Sequence, residues 1–393
     1  MRGSTRLVVL FTIAGFFEAV LWGHVNAFVP LHLPALGVRA ADVAAWTGLA
    51  TMIGTAVGLP TLPFWGALAD RYARKPVIVR SFVAYVVGCS LAALAGNMAL
   101  FVVGRTVMSL SMGNSGLMMA TLNERVPSRR AALAFAIFNS APPLGAFIGP
   151  ILVGPLVDAH GVRVVLALDA AVMIAITAAL SFGYRDDYTT TERRSVTALA
   201  IESLRVVTGS ARLRRLFPTL FFLFGGWMLA NLYVALVVAA RFPSAHLATR
   251  IGWVLACGGG GAVLLAPALG ALADRLGTWR VLLGAAAAEV LCWGLPAMAP
   301  GLASFAVAWG LVNGVAAAVF ALGFAALAES APAGARGRVM AFAYLPTTGG
   351  YAIASLVGAL VPGAIVAVVF PAAAALTALG VAGIVWSRRA APA

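Results

Sequence analysis

Charge is scarce in this chain. Of its 393 residues only 10% are Asp, Glu, Lys or Arg, while 62% are hydrophobic. Soluble domains carry roughly 25% charged residues. Too few polar side chains are present to coat a water-soluble fold of this size, so long apolar runs have to face lipid. Lysine is nearly absent: Lys75 is the only one. It lacks the preceding glycine pattern of a phosphate-binding loop, which excludes ATP hydrolysis of the P-loop type. Cysteine is rare too. Cys89, Cys257 and Cys292 fall in separate apolar runs, with neither metal-ligand spacing nor a disulfide framework. H-E-x-x-H and G-x-S-x-G are missing, so no catalytic residues, metal ligands or cofactors are expected. Dyad alternation is missing as well, which excludes a transmembrane barrel.

What is present is a series of apolar runs. They fall near residues 7–33, 43–65, 76–97, 99–121, 133–157, 162–183, 216–240, 249–272, 279–299, 302–327, 338–360 and 363–387. Each matches the roughly 20 residues that cross a bilayer as a helix. The run from Leu7 is too long for a signal-peptide core and reads as an uncleaved first span. The expected fold is therefore an all-α integral membrane protein of twelve transmembrane helices. The longest polar stretch, Tyr184–Arg215, divides it into bundles at 1–184 and 216–393, with a linker at 185–215.

Basic residues set the orientation. With the N-terminus inside, 22 of the 27 Lys and Arg residues lie on inner segments. Four (Arg39, Arg163, Arg241 and Arg250) lie on outer segments, and Arg105 alone lies within a span. Both termini and the linker are then cytoplasmic. The net charge of +14 is topological and requires no nucleic acid.

The two halves are related. Gly66-Ala67-Leu68-Ala69-Asp70-Arg71 recurs as Gly270-Ala271-Leu272-Ala273-Asp274-Arg275. Phe16, Phe17, Trp22 and Asn26 recur as Phe221, Phe222, Trp227 and Asn231, and Ala134-Phe135-Ala136 as Ala341-Phe342-Ala343. All three matches share nearly one shift. Two six-helix pseudo-repeats of this parallel kind are a transporter architecture, with the substrate site expected between the halves near the midplane.

Gly66-Ala-Leu68-Ala-Asp70-Arg71-Tyr72-Ala73-Arg74-Lys75 resembles the signature loop of the major facilitator superfamily, with Ala73 in place of the usual glycine. Pro63-Phe64-Trp65 before it and Arg80-Ser81 after it are most similar to the twelve-helix drug:proton antiporters. The resemblance implies a gating loop in which Asp70 docks at the eleventh helix, around Gly337 and Arg338, and Arg74 pairs with Glu124. Gly270, Asp274 and Arg275 form its degenerate second copy. Gly145-x-x-x-Gly149-Pro150-x-x-x-Gly154 resembles the antiporter motif of the same superfamily, which implies export. Arg105 matches the family's buried arginine of the fourth helix. The resemblance further implies a bacterial inner-membrane protein, expected as a monomer, that is driven by an ion gradient, with protons the expected ion.

An ionisable residue inside a span is a functional candidate by default, since it costs about 2.5–3.5 kcal/mol on insertion scales. Glu18, Arg105, Glu289 and Asp169 are the candidates for proton coupling. Glu18 lies about mid-bilayer, and Leu223 occupies its repeat position. It reads either as a carrier of a proton or cationic substrate, or as a structural partner of Arg105. Trp-x-x-x-Asn occurs at Trp22–Asn26, Trp227–Asn231 and Trp309–Asn313. Residues four apart share a helix face, and aromatic and amide groups suit flat or cationic organic molecules. These six are the candidate substrate-cavity residues, with helix packing as the alternative. Three functions follow in order: a proton-driven exporter of small organic molecules, an importer on the same fold, and, remotely, a membrane-embedded enzyme.

Overall fold

The computed structural model describes residues 2–61, 73–111, 113–184, 205, 207–332, 339–340, 342–343 and 345–388. Hydrocarbon offers no hydrogen bonds, so a backbone crossing it must satisfy its own groups, and a helix does so within one segment. The described apolar runs accordingly fold as helices. They are α1 (Arg2–His32), α2 (Val43–Gly58), α3 (Arg74–Leu94), α4 (Met98–Ser109), α5 (Asn114–Arg125) and α6 (Ser128–Gly183), then α7 (Ala211–Arg241), α8 (Leu247–Leu276), α9 (Thr278–Cys292), α10 (Gly294–Met298), α11 (Leu302–Ser330), α12 (Leu345–Leu360) and α13 (Ile365–Arg388).

Among the described residues nine helical stretches are long and apolar enough to cross a membrane, and α12 is a shorter apolar helix. One of the nine, Leu133–Gly183, has 51 residues. That is more than twice what one crossing needs. It breaks at Gly161, whose φ of 79° lies where only glycine sits without strain. The run expected as a single fourth span is two helices, α4 and α5, parted before Gly113 at φ 94°. The ninth is likewise divided into α9 and α10 at Trp293.

The chain forms two compact units. The first comprises 1–38 and 53–199, the second 39–52 and 200–393. The outer part of α2 thus packs within the second unit. There a Cβ on Gly48 would lie 2.5 Å from the Tyr233 hydroxyl of α7 and 2.7 Å from the Ser355 carbonyl of α12.

Lipid tails are as apolar as leucine, so close backbone approach rather than hydrophobicity holds such helices together. In the first unit α3 meets α4 at Gly88 and Gly104; a Cβ on Gly104 would lie 2.8 Å from the Gly88 carbonyl. α6 meets α1 at Gly145 and Gly149. A Cβ on Gly145 would lie 2.6 Å from the Phe16 carbonyl, and one on Gly149 3.1 Å from Val20 Cα. Pro150 lies in the same helix, and Gly154 is buried. The glycines of the antiporter-like motif therefore seat the backbone of α1 on either side of Glu18. In the second unit Leu220, Leu223, Phe224, Leu282 and Val319 form the core, with Phe224, Phe320 and Phe324 ring against ring.

Gly145→Val should destabilise the protein by about 1–3 kcal/mol, the usual range for overpacking. Thermal unfolding in detergent reads this directly. Gly284→Val, where a Cβ meets nothing within 4 Å, should melt with the wild type.

Candidate functional site

Glu18, Trp22 and Asn26 recur every four residues and so share one face of α1. All three are engaged there by polar side chains of the first unit. The Tyr85 hydroxyl of α3 donates to Glu18 Oε1 at 2.6 Å, and the Asn114 amide of α5 donates to Oε2 at 3.1 Å. Trp22 Nε1 donates to the Tyr85 hydroxyl at 2.8 Å. Arg105 Nη2 donates to Asn26 Oδ1 at 2.8 Å, and its guanidinium lies 5.5 Å from the centre of the Trp22 ring. Tyr85 and Arg105 are buried, whereas Glu18 is half-buried.

Partnership with Arg105 was one of the two readings of Glu18. The hydrogen bonds to both Glu18 oxygens instead come from neutral donors, Tyr85 and Asn114, which charge and motif did not single out. Their signal was present: a hydroxyl and an amide inside otherwise apolar spans are costly unless paired. Asp169 stands apart from Glu18. Its Oδ2 lies 2.8 Å from Nε2 of His24, which is 2% exposed, and this pair ties α1 to the second half of α6.

At the cytoplasmic end, Gly66, Asp70 and Arg71 lie outside the described residues, as do Gly337 and Arg338. Arg74 opens α3 and donates to Glu124 Oε1 at 2.8 Å, Arg74 being buried and Glu124 exposed. The next residue, Lys75, donates to the Ser181 and Tyr184 carbonyls, each at 2.6 Å. It thereby fills carbonyls left open where α6 ends. In the second unit the positions related by the repeat replace the ion pair with a hydroxyl–carboxylate bond: the Thr278 hydroxyl donates to Glu329. Gly270, Asp274 and Arg275 lie in the last turns of α8, Asp274 and Arg275 exposed.

Trp227, Asn231 and Asn313 also come together. Trp227 Nε1 donates to Asn313 Oδ1 at 2.9 Å, and Asn231 Nδ2 approaches the same oxygen at 3.4 Å. Trp309 does not join them. It is buried among Trp293 and Phe370, because α8 approaches α11 so closely that a Cβ on Gly258 would lie 2.7 Å from its indole nitrogen. Glu289 of α9 is 0% exposed. The Thr377 hydroxyl of α13 lies 3.4 Å from its Oε1, and Trp293 Nε1 donates to that hydroxyl at 3.2 Å. Leu223, at the repeat position of Glu18, is buried against Gly380. At this one position the repeat holds a hydrogen-bonded acid in one unit and plain packing in the other. Among the described residues no cluster of His, Cys, Asp and Glu has the makings of a metal site.

The family model of the Major Facilitator Superfamily matches residues 7–249. The chain belongs to the major facilitator superfamily. It is a multi-pass membrane transporter rather than an enzyme. It is 27% identical over 292 residues to a multidrug resistance protein MdtG of Citrobacter koseri, covering 70% of this chain and 68% of that one. To the MdtG of Escherichia coli K12 it is 26% identical over 290 residues, covering 73% and 70%. Its fold is shared with a nucleoside transporter, NupG (TM-score 0.73, 14% identity, 98% of this chain and 100% of that chain). It is shared also with a peptide transporter, POT, in complex with sulfate (TM-score 0.76, 16% identity, 99% and 94%).

Tyr85→Phe removes one donor to Glu18 and the acceptor of Trp22. An unpaired buried group costs about 1–3 kcal/mol, so transport should slow by about tenfold or more and its pH profile should move. Dye transport in membrane vesicles over a range of pH reads both. Rates equal to wild type at every pH would remove Tyr85 from the site.

Proposed function

We propose that this chain is a proton-driven exporter of small organic molecules and that Glu18 carries the coupling proton. The observation that supports this best is the setting of Glu18. It is a half-buried acid on α1, held by the neutral donors Tyr85 and Asn114, and matched by Leu223 in the repeat. A carboxyl group with a fixed cationic partner is locked in its charged form. One held by a hydroxyl and an amide exchanges its proton without breaking a buried ion pair, which is expensive.

Export is favoured by the relatives named multidrug resistance proteins and by the antiporter-like glycine motif seated against α1. Within each unit by itself, aromatic and amide groups (Trp22 with Asn26, and Trp227 with Asn231 and Asn313) suit flat organic cations. An importer remains the second reading, since the superfamily fold also serves chains named as nucleoside and peptide transporters. The energetics of coupling suffice. One charge crossing about 100 mV yields about 2.3 kcal/mol, while each tenfold gradient of an uncharged substrate needs about 1.4 kcal/mol. One net charge per cycle sustains a gradient of roughly fiftyfold.

Glu18→Gln keeps the shape and removes the titration. It should abolish uphill, pH-dependent efflux from cells lacking their own pumps, while leaving substrate binding within a few-fold of wild type. Uphill efflux with an unchanged pH profile in this variant would make Glu18 structural and pass the role to Glu289 or Asp169.

A further inference from the structure

The first unit carries a second concave site, away from Glu18. It is a groove of about 720 Å³ between the start of α1 and the two ends of α6. Its floor is apolar, with Val9, Ile13 and Phe182 all exposed and Phe182 at 88%. In a membrane chain such exposure means contact with hydrocarbon. Arg6 and Arg130 stand at its rim, and both are exposed. Among the described residues neither guanidinium has an acid or carbonyl partner.

The groove has a built shape. A Cβ on Gly183 would lie 2.8 Å from Leu10 Cδ2, so glycine there lets α6 close against α1. The ring of Phe11 meets that of Tyr184 edge to face at 5.3 Å. The end of α6 would ordinarily present a negative dipole to the groove. Lys75 offsets it by donating to the Ser181 and Tyr184 carbonyls. Among the described residues the rim is left with two positive charges that no acid opposes, above an apolar floor.

We infer that this groove binds one anionic glycerophospholipid of the inner leaflet, its phosphate between Arg6 and Arg130 and an acyl chain along Val9, Ile13 and Phe182. Guanidinium groups suit phosphate because their planar fork pairs with two oxygens at once. A zwitterionic lipid has the same chains but brings a compensating cation. A free phosphate has the charge but no use for the floor.

Native mass spectrometry of the delipidated full chain tests this, with phosphatidylglycerol and phosphatidylcholine of identical chains as probes. One phosphatidylglycerol per chain should be retained, in preference to phosphatidylcholine. With about 1 kcal/mol per basic residue near a lipid surface, Arg6→Gln with Arg130→Gln should weaken retention about thirtyfold and each single change about fivefold. Arg205→Gln, which also removes a cytoplasmic positive charge, should leave it unchanged. Melting temperatures of the variants check that they remain folded. Equal retention of phosphatidylglycerol by the double variant would overturn the site. Equal retention of the two lipids by the wild type would overturn the headgroup assignment. Displacement of the lipid by glycerol 3-phosphate at equal concentration would overturn the role of the apolar floor.

Discussion

A carboxyl group inside a hydrocarbon layer costs several kcal/mol unless it is paired, and α1 carries one at Glu18. The polar interior of the first unit is arranged around that cost. Tyr85 and Asn114 supply donors to the two oxygens, Trp22 supports Tyr85, and Arg105 is engaged by Asn26 and the Trp22 ring. The arrangement depends on close helix contact. Gly145 and Gly149 let α6 press on α1 on either side of Glu18, and Gly88 with Gly104 brings α3 to α4. Larger residues at those glycines would move the acid away from its donors.

The two units inherit one plan and use it differently. Arg74–Glu124 in the first becomes Thr278–Glu329 in the second, an ion pair in one and a hydroxyl–carboxylate hydrogen bond in the other. Glu18 becomes Leu223, which packs against Gly380. The second unit has its own acid within a span, Glu289, which is 0% exposed and lies 3.4 Å from the Thr377 hydroxyl. Glu289 is fully buried, whereas Glu18 keeps part of its surface accessible.

Much of this was legible in the sequence because membrane constraints are one-dimensional. Run length marked the helical stretches, and the four-residue spacing put Glu18, Trp22 and Asn26 on one face. The signature loop pointed to Arg74 with Glu124. Helix rotation about the axis was not legible. It decides that Tyr85 turns towards Glu18, and that Trp309 turns away from Asn231 into the rings of Trp293 and Phe370. The division at Gly113 falls at a glycine between Ser111 and Asn114, a signal that run length alone passes over, whereas Trp293 keeps right-handed helical angles and carries no such mark. The pairing of Asp169 with His24 depends on which way α6 faces after Gly161, which composition does not record.

The claim that substrate leaves in exchange for a proton is tested most directly by following both at once. Purified protein in proteoliposomes would be given a downhill gradient of a planar aromatic cation such as ethidium, with a pH dye in the lumen and the membrane potential clamped. The account predicts proton movement opposite to ethidium, starting with it and proportional to it. Ethidium flux with no proton movement, or with protons travelling in the same direction, would contradict it.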